Sequence, residues 1–312
     1  MKLTNNITSF ILLGFPNLRN VTFLFFSLLV LIYCGVILGN LLMMALYLVS
    51  KSLQSPMYFF ITQLSVCDLL VTTDIVPLLL HLVLQGGSSV SLVGCIAQFS
   101  LFGILEASEC LLLSVMSYDR YLAICKPLRY HSIMNHKFCV TSVNIIWLIS
   151  CLITLTDVIS LLNLHFCGPR IIDHFYCDYE PIMQLSCSDT SIIHTQVLIL
   201  GSLLVIVPLV IIVMSYVCIV ITILKISSNT GRHKAFSTCS SHLIVVSLFY
   251  GTLMTDYMFP TKGQSLILSK VLSLIYTLVT PLLNPIIYSL KNKDFKEAFQ
   301  KLKAYLCFIH DF

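Results

Sequence analysis

Charge is what this chain has least of. Only 10% of its 312 residues are Asp, Glu, Lys or Arg, against roughly 25% in an average soluble domain, and that excludes a water-solvated globular surface. One tryptophan and no basic patch with interleaved aromatics exclude a nucleic-acid interface. The nine histidines are scattered without ligand spacing, which leaves a metal-dependent membrane enzyme without its usual pattern. No internal repeat or pair of broken apolar segments suggests a transporter, and no low-complexity tract or linker divides the chain. A charged-then-apolar leader with a cleavage site is also missing from the opening residues, so the first apolar run is expected to act as the targeting signal. No cofactor is implied.

What is present is hydrocarbon. The chain is 57% hydrophobic with a mean hydropathy of +0.94. Apolar runs long enough to cross a bilayer, which takes about 20 residues, lie near 22–49, 57–84, 96–118, 139–162, 197–224, 238–259 and 266–290. This predicts an all-α membrane protein, a seven-helix bundle forming one domain over 1–312, with 1–21 ahead of the first span and 291–312 as a tail. Pro77, Pro208, Pro260, Pro281 and Pro285 fall within or at the ends of the runs, and kinks are expected there.

The cations set the orientation. Lys51, Arg120, Lys126, Arg129, Lys137, Lys225, Arg232, Lys234, Lys291, Lys293, Lys296, Lys301 and Lys303 occupy the odd connections and the tail. Lys2, Arg19, Arg170 and Lys262 occupy the other side, and Lys270 lies near that end of the last span. The positive-inside rule therefore places the N-terminus outside and the tail in the cytosol. Asn6-Ile7-Thr8 is then a glycosylation sequon on the outer side, while Asn20-Val21-Thr22 abuts the membrane. In the tail, Phe295, Phe299, Leu302 and Leu306 recur among lysines, the pattern of an amphipathic helix over 293–306 resting on anionic lipid, with Cys307 a candidate acylation site. Of the 13 cysteines, Cys95, Cys167, Cys177 and Cys187 lie outside, where disulfides persist. Their spacing alone leaves three pairings open, although bonding Cys95 to the 164–196 loop would pin that loop over the bundle mouth.

Helix arithmetic finds polar groups deep in the apolar runs. At 1.5 Å per residue, Asn40, Asp68 and Glu109 each sit about 16 Å, and Asn284 about 10 Å, from the cytoplasmic ends of their spans. A carboxylate at that depth must be protonated, paired or bound to a cation. Asn40, Asp68, Glu109 and Asn284 are thus expected to form a cation- or proton-holding network, with sodium at Asp68 and Glu109 as the cation form. The third run ends in Asp119-Arg120-Tyr121, an adjacent acid and base at the rim of a membrane helix, where such pairs usually mark a functional site.

These residues also carry a resemblance. Gly39-Asn40; Pro56-Met57-Tyr58-Phe59-Phe60 with Leu64-Ser65 and Asp68; Met116-Ser117-Tyr118-Asp119-Arg120-Tyr121 through Ala123-Ile124-Cys125; Ser215-Tyr216; Lys234-Ala235-Phe236-Ser237-Thr238-Cys239-Ser240-Ser241-His242; Phe249-Tyr250-Gly251; and the run from Pro281 through Asn284-Pro285 to Tyr288-Ser289-Leu290 together resemble the odorant receptors. These motifs occur in family order over almost the whole chain. Cys167, Cys177 and Cys187, at spacings of ten, resemble the second outer loop of the tetrapod-type (class II) branch. Ser117 stands where that family usually has Ala, and Lys291 where it usually has Arg.

The resemblance implies a rhodopsin-like G protein-coupled receptor of the plasma membrane, expected in the cilia of olfactory sensory neurons. Its ligands would be small volatile or water-borne odorants, and its partner a stimulatory, olfactory-type heterotrimeric G protein that raises cAMP. It implies a Cys95–Cys177 disulfide, a second bridge between Cys167 and Cys187, and a buried ion site at Asp68 and Glu109. Activation is then expected to release Arg120 from Asp119 as the sixth span opens, with Tyr216 and Tyr288 the hydroxyls that receive it and Tyr121 completing the motif. Cys95 and Arg120 are about 37 Å apart along one helix, so the third span would run from lid to cytosol. The ligand pocket is expected in the outer half, around Phe102, Gly103, Glu106, Ala107, Tyr250, Leu253, Asp256 and Tyr257. Glu106, a second intramembrane acid about 4.5 Å above Glu109 and outside the family pattern, would favour ligands that donate a hydrogen bond, such as amines or alcohols.

Overall fold

The computed structural model describes residues 8–16, 18, 20–167, 170–258, 266–290 and 293–310. Asn6 lies outside the described residues, as do the side chains of Asp256, Tyr257, Leu306 and Cys307.

Five long helices cross the bundle as single elements: α1 (Thr22–Val49), α2 (Pro56–Gln85), α3 (Leu92–Cys125), α5 (His136–Leu162) and α7 (Ser191–Leu224). The sixth crossing is α8 (Asn229–Met258), and the seventh is assembled from α9 (Leu266–Leu274), a π-helical turn (Ile275–Val279) and α10 (Thr280–Leu290). Two short helices, α4 (Pro127–Ile133) and α6 (Tyr179–Met183), lie in connections, and α11 (Lys293–His310) follows the last crossing. Among the described residues six apolar stretches are long enough to span a membrane, and a shorter one, Cys239–Thr255, lies within α8.

Local chemistry sets many of the boundaries. Pro56 opens α2 at its first turn, where no N–H is needed, and Gly86 closes it in the left-handed conformation at φ 74. The Ser91 hydroxyl caps α3 by accepting from the Gly94 N–H at 3.0 Å, and the Asn135 amide oxygen caps α5 through the Phe138 N–H at 2.9 Å. Buried residues of α1 fall at Leu29, Val36, Asn40, Met43 and Leu46, a stripe that packs on α2 and α10. At Gly39 a Cβ would stand 3.2 Å from the Pro285 ring, tighter than an ordinary contact, so glycine eases that close approach of α1 to α10. The central helix is α3, packed against α2, α5, α7 and α8.

Three features depart from the sequence expectation. The bundle carries a small sheet in the order β2-β1-β3, with β1 (Ser9–Leu12) antiparallel to β2 (Ser88–Ser91) and parallel to β3 (Ile171–Ile172). Phe10 and Leu12 point inward from β1 and are fully buried. The seventh crossing passes through a π turn just ahead of Pro281, where only proline kinks were expected. Finally, α8 begins at Asn229 rather than near 238, because a polar stretch can stay helical beyond the apolar segment that marks a span. In α11 the packing stripe is Phe295, Ala298 and Leu302, while Phe299 is 48% exposed. The Tyr58 hydroxyl fastens this helix by donating to Asp294 Oδ2 at 2.8 Å.

Candidate functional site

At one end of the bundle the chain builds a lid. Cys95, in the first turn of α3, is disulfide-bonded to Cys177, and Cys167 to Cys187, with Cα separations of 5.4 and 5.9 Å. Gln98, one turn below Cys95, accepts from the Cys177 N–H at 2.9 Å and donates to the Asp74 carbonyl of α2 at 3.1 Å, so one amide joins the lid to two helices. Lys270 of α9 is buried. Its ammonium donates to the Gly14 carbonyl at 2.7 Å and to Asp173 Oδ1 at 2.6 Å, and lies 5.7 Å from the Phe15 ring centroid. Gly14 turns there at φ +60 with Leu82 against it, a backbone position that glycine adopts without strain. Beneath the lid the Tyr176 and Tyr276 hydroxyls are hydrogen-bonded, and the Phe102 ring lies 5.2 and 5.9 Å from the two phenol rings. His174 is buried against Phe175 and Tyr176, and burial followed by the Lys270 charge pushes its imidazole down to about 3.

The bundle centre holds the acids. Asn284 donates to both Asp68 carboxylate oxygens at 3.0 Å. Asn40 does not reach Asp68; its amide donates to the Val36 carbonyl at 3.1 Å and to the Pro281 carbonyl at 3.2 Å, one turn before Asn284. Glu109 faces Asp68 across the α2–α3 seam and lies within electrostatic reach of both Asp68 and Glu106. Asn40 Oδ1 and Asn284 Oδ1 are buried acceptors with no hydrogen-bond donor among the described residues. No group of three or more His, Cys, Asp or Glu placed to hold a metal ion occurs among the described residues.

Residues named for the ligand pocket divide by face. Phe102 looks toward the lid, and Leu253 is buried in α8. Tyr250 donates to the Cys110 carbonyl of α3 at 3.0 Å. Gly103 abuts Thr154 of α5, with 3.3 Å between a Cβ placed there and the Thr154 side chain, so it lies on the α3–α5 seam. Ala107 is buried, and the adjacent Ser108 bonds Ser150 of α5 at 3.0 Å. Glu106 is only partly buried, although its neighbours along that helical face, Phe99, Phe102, Glu109, Cys110 and Leu113, are all buried.

At the opposite end Arg120 is held by Asp119, with Nε donating to Oδ2 at 2.9 Å and Nη2 bonded to the same oxygen. Asp119 is fully buried and takes a further bond at Oδ1 from the Tyr130 hydroxyl of α4 at 2.8 Å. Burial, then the Asp119 charge, raises that phenol above its ordinary value. Tyr121 stacks on Tyr118, their ring centroids 6.2 Å apart. The Tyr216 hydroxyl bonds His242 Nδ1 at 2.7 Å, linking α7 to α8, and the Ser241 hydroxyl donates to the Ile287 carbonyl of α10 at 3.2 Å. Tyr288 is buried with no partner for its hydroxyl among the described residues. Arg120 acts electrostatically on Tyr216, His242 and Tyr288, so both expected receiving hydroxyls lie within its electrostatic reach while it remains on Asp119.

Sequence reasoning missed Gln98, Tyr176, Tyr276 and His242 as linkers, and read Lys270 as a rim cation. The signal for Lys270 was a lone charge inside an apolar run.

A family model for olfactory receptors matches residues 28–305. Human olfactory receptor 10C1 is 43% identical over 298 residues, covering 96% of each chain. Human olfactory receptor 11A1 is 43% identical over 296 residues, 95% of this chain and 94% of its own, and mouse olfactory receptor 5AP2 is 42% identical over 301 residues, 96% and 95%. These are multi-pass membrane receptors and not enzymes. With the match running through every crossing helix, the chain belongs to the olfactory receptor family.

Proposed function

We propose that this chain is an odorant receptor that binds small organic ligands in the lid half of the bundle and activates a stimulatory heterotrimeric G protein, raising cAMP. In this reading the lid and the N-terminus face outside, and the Arg120 end and α11 face the cytosol of the sensory cell. The observation that carries it is the Asp119–Arg120 pair at the end of α3, with Tyr216 of α7, His242 of α8 and Tyr288 of α10 within its electrostatic reach. A helix-end ion pair beside a movable helix is a two-state element, and a ligand biases it only through differential affinity for the two states. When α8 moves away, Arg120 leaves Asp119 and the Tyr216 and Tyr288 hydroxyls receive it.

Asp68, Glu109 and Asn284 would hold a sodium ion, whose single charge would balance one of the two carboxylates while the other stays protonated. Glu106, above them on a helical face whose other residues are buried, favours amines and alcohols as ligands. The test is a cAMP assay in cells co-expressing the olfactory stimulatory G protein, screened against amines, alcohols, acids and esters. Wild type is expected to respond and Arg120→Ala, at equal surface level, to be silent; a full response from Arg120→Ala sinks the reading. Glu106→Gln is expected to weaken amine and alcohol responses selectively. Sodium is expected to change ligand affinity in wild type but not in Asp68→Asn.

A further inference from the structure

On the lipid-facing side of the α7–α8 seam lies a slot of about 510 Å³. On α7 it is lined by a continuous helical stripe that includes Leu209, Val213, Val217 and Val220, and on α8 by Leu243 and Val246. The α7 stripe, from 209 to 221, is about 18 Å long and runs along the helix axis, the direction in which lipid chains lie. Val213, Val217, Val220 and Leu243 are 51, 47, 49 and 40% exposed. Three polar side chains also border the slot, and each is bonded inside the protein: Tyr216 to His242, Tyr250 to the Cys110 carbonyl, and Ser247 to the Leu243 carbonyl. An occupant therefore finds no free donor or acceptor, only hydrocarbon.

We propose that this slot binds an acyl chain of a membrane phospholipid, and that its occupation holds α8 against α7 and so lowers resting activity. The occupant follows from the site's shape, its chemistry and its bilayer-facing position. Helices in a bilayer gain no hydrophobic drive toward one another, so a crevice between them loses dispersion contacts unless a chain fills it. The slot borders two tyrosines, Tyr216 and Tyr250, whose hydroxyls tie α8 to α7 and to α3. A chain seated there contacts both sides of the joint that opens on activation, and so prefers the closed arrangement. The lipid site stands by itself, while its effect on activity rests on the function proposed above.

The full-length receptor in nanodiscs of phosphatidylcholine bearing photoreactive diazirine chains tests occupancy, with adducts mapped by peptide mass spectrometry. Adducts are expected to concentrate on Val213, Val217, Val220 and Leu243 over Leu148 and Leu152 of α5, which are 59 and 54% exposed. Val217→Phe, or Val213→Phe if that variant folds poorly, fills the slot and is expected to abolish those adducts while sparing the ones on α5. Even labelling of all lipid faces overturns the site, as does undiminished slot labelling in both filled variants. Labelling by a photoreactive sterol in place of phosphatidylcholine overturns the acyl-chain assignment. In cells the phenylalanine ring stands permanently in the chain's place, so the filled variants are expected to lower basal cAMP about twofold by favouring the closed state; unchanged basal cAMP in variants that have lost the slot adducts overturns the holding role. If Arg120→Ala signals like wild type, it is the functional reading that fails and not the site.

Discussion

At the lid end, two disulfides, a three-stranded sheet and the buried Lys270 close the bundle; toward the Arg120 end, α8 is held by the Tyr216–His242 and Ser241–Ile287 bonds, and nearer the bundle centre by the Tyr250–Cys110 bond, beside an open slot. Covalent bonds and a strand ladder do not yield to a few kcal/mol, whereas single hydrogen bonds and one ion pair do. The lid is held in one geometry, and the other end is left able to change.

The strongest way to break this contrast is to remove the lid's staples. Cys95–Cys177 closes 82 residues of sequence and Cys167–Cys187 closes 20, so loop-closure entropy assigns them about 4.5 and about 3 kcal/mol. Cys95→Ser is expected to abolish surface expression, and Cys167→Ser to lower it less. Equal expression of both variants, measured by flow cytometry, would remove the ranking.

At the opposite end Asp119→Asn takes away a charged partner worth about 1.5–3 kcal/mol, a roughly ten- to hundredfold shift of the resting equilibrium. Basal cAMP is expected to rise severalfold at unchanged surface level. A variant with normal expression, normal ligand response and silent basal activity would count against the switch.

How much of this contrast the sequence disclosed differs between the ends. Asp119-Arg120 was visible because two opposite charges close an apolar run, and the acids Asp68, Glu106 and Glu109 because each is an ionisable group deep inside such a run. The spans were legible for the same compositional reason. The lid's sheet was not. Its strand Ser9–Leu12 has four residues, and its partners lie about 80 and 160 positions away, so no local pattern announces it. The Tyr176–Tyr276 bond is likewise a pairing across 100 residues. Gly103 shows the limit within a helix, since spacing gives its height while the choice between α5 and the cavity depends on how α3 is rotated.

Lys270→Met sharpens the comparison with a smaller effect. It deletes the ammonium that joins Gly14, Asp173 and α9, but Asp173 is 39% exposed and can turn to water. The expected cost is therefore about 1–2 kcal/mol, below that of a fully buried pair. Thermal stability of the purified receptor should fall and proteolysis of the N-terminal segment should quicken, with basal cAMP unchanged. A basal rise would mean that the two ends are not separately held.

The smallest expected effect is a pH response confined to the lid. His174 is neutral in the closed lid, held down to about 3 by burial and by Lys270; once the lid is displaced, its imidazole returns to the ordinary 6.5. Above pH 6.5 both states are neutral and the residue opposes nothing. Below that value the displaced lid takes up a proton that the closed lid refuses, so lid stability falls progressively from pH 6.5 toward 3. At pH 5.5 the loss is about 1 kcal/mol. Wild type is expected to lose more thermal stability between pH 7 and 5.5 than His174→Phe, which keeps the ring packing against Phe175 and Tyr176 without the titrating group. Because every other histidine is common to both proteins, the difference between the two slopes reports His174 alone; parallel slopes would mean that the lid admits the proton without opening.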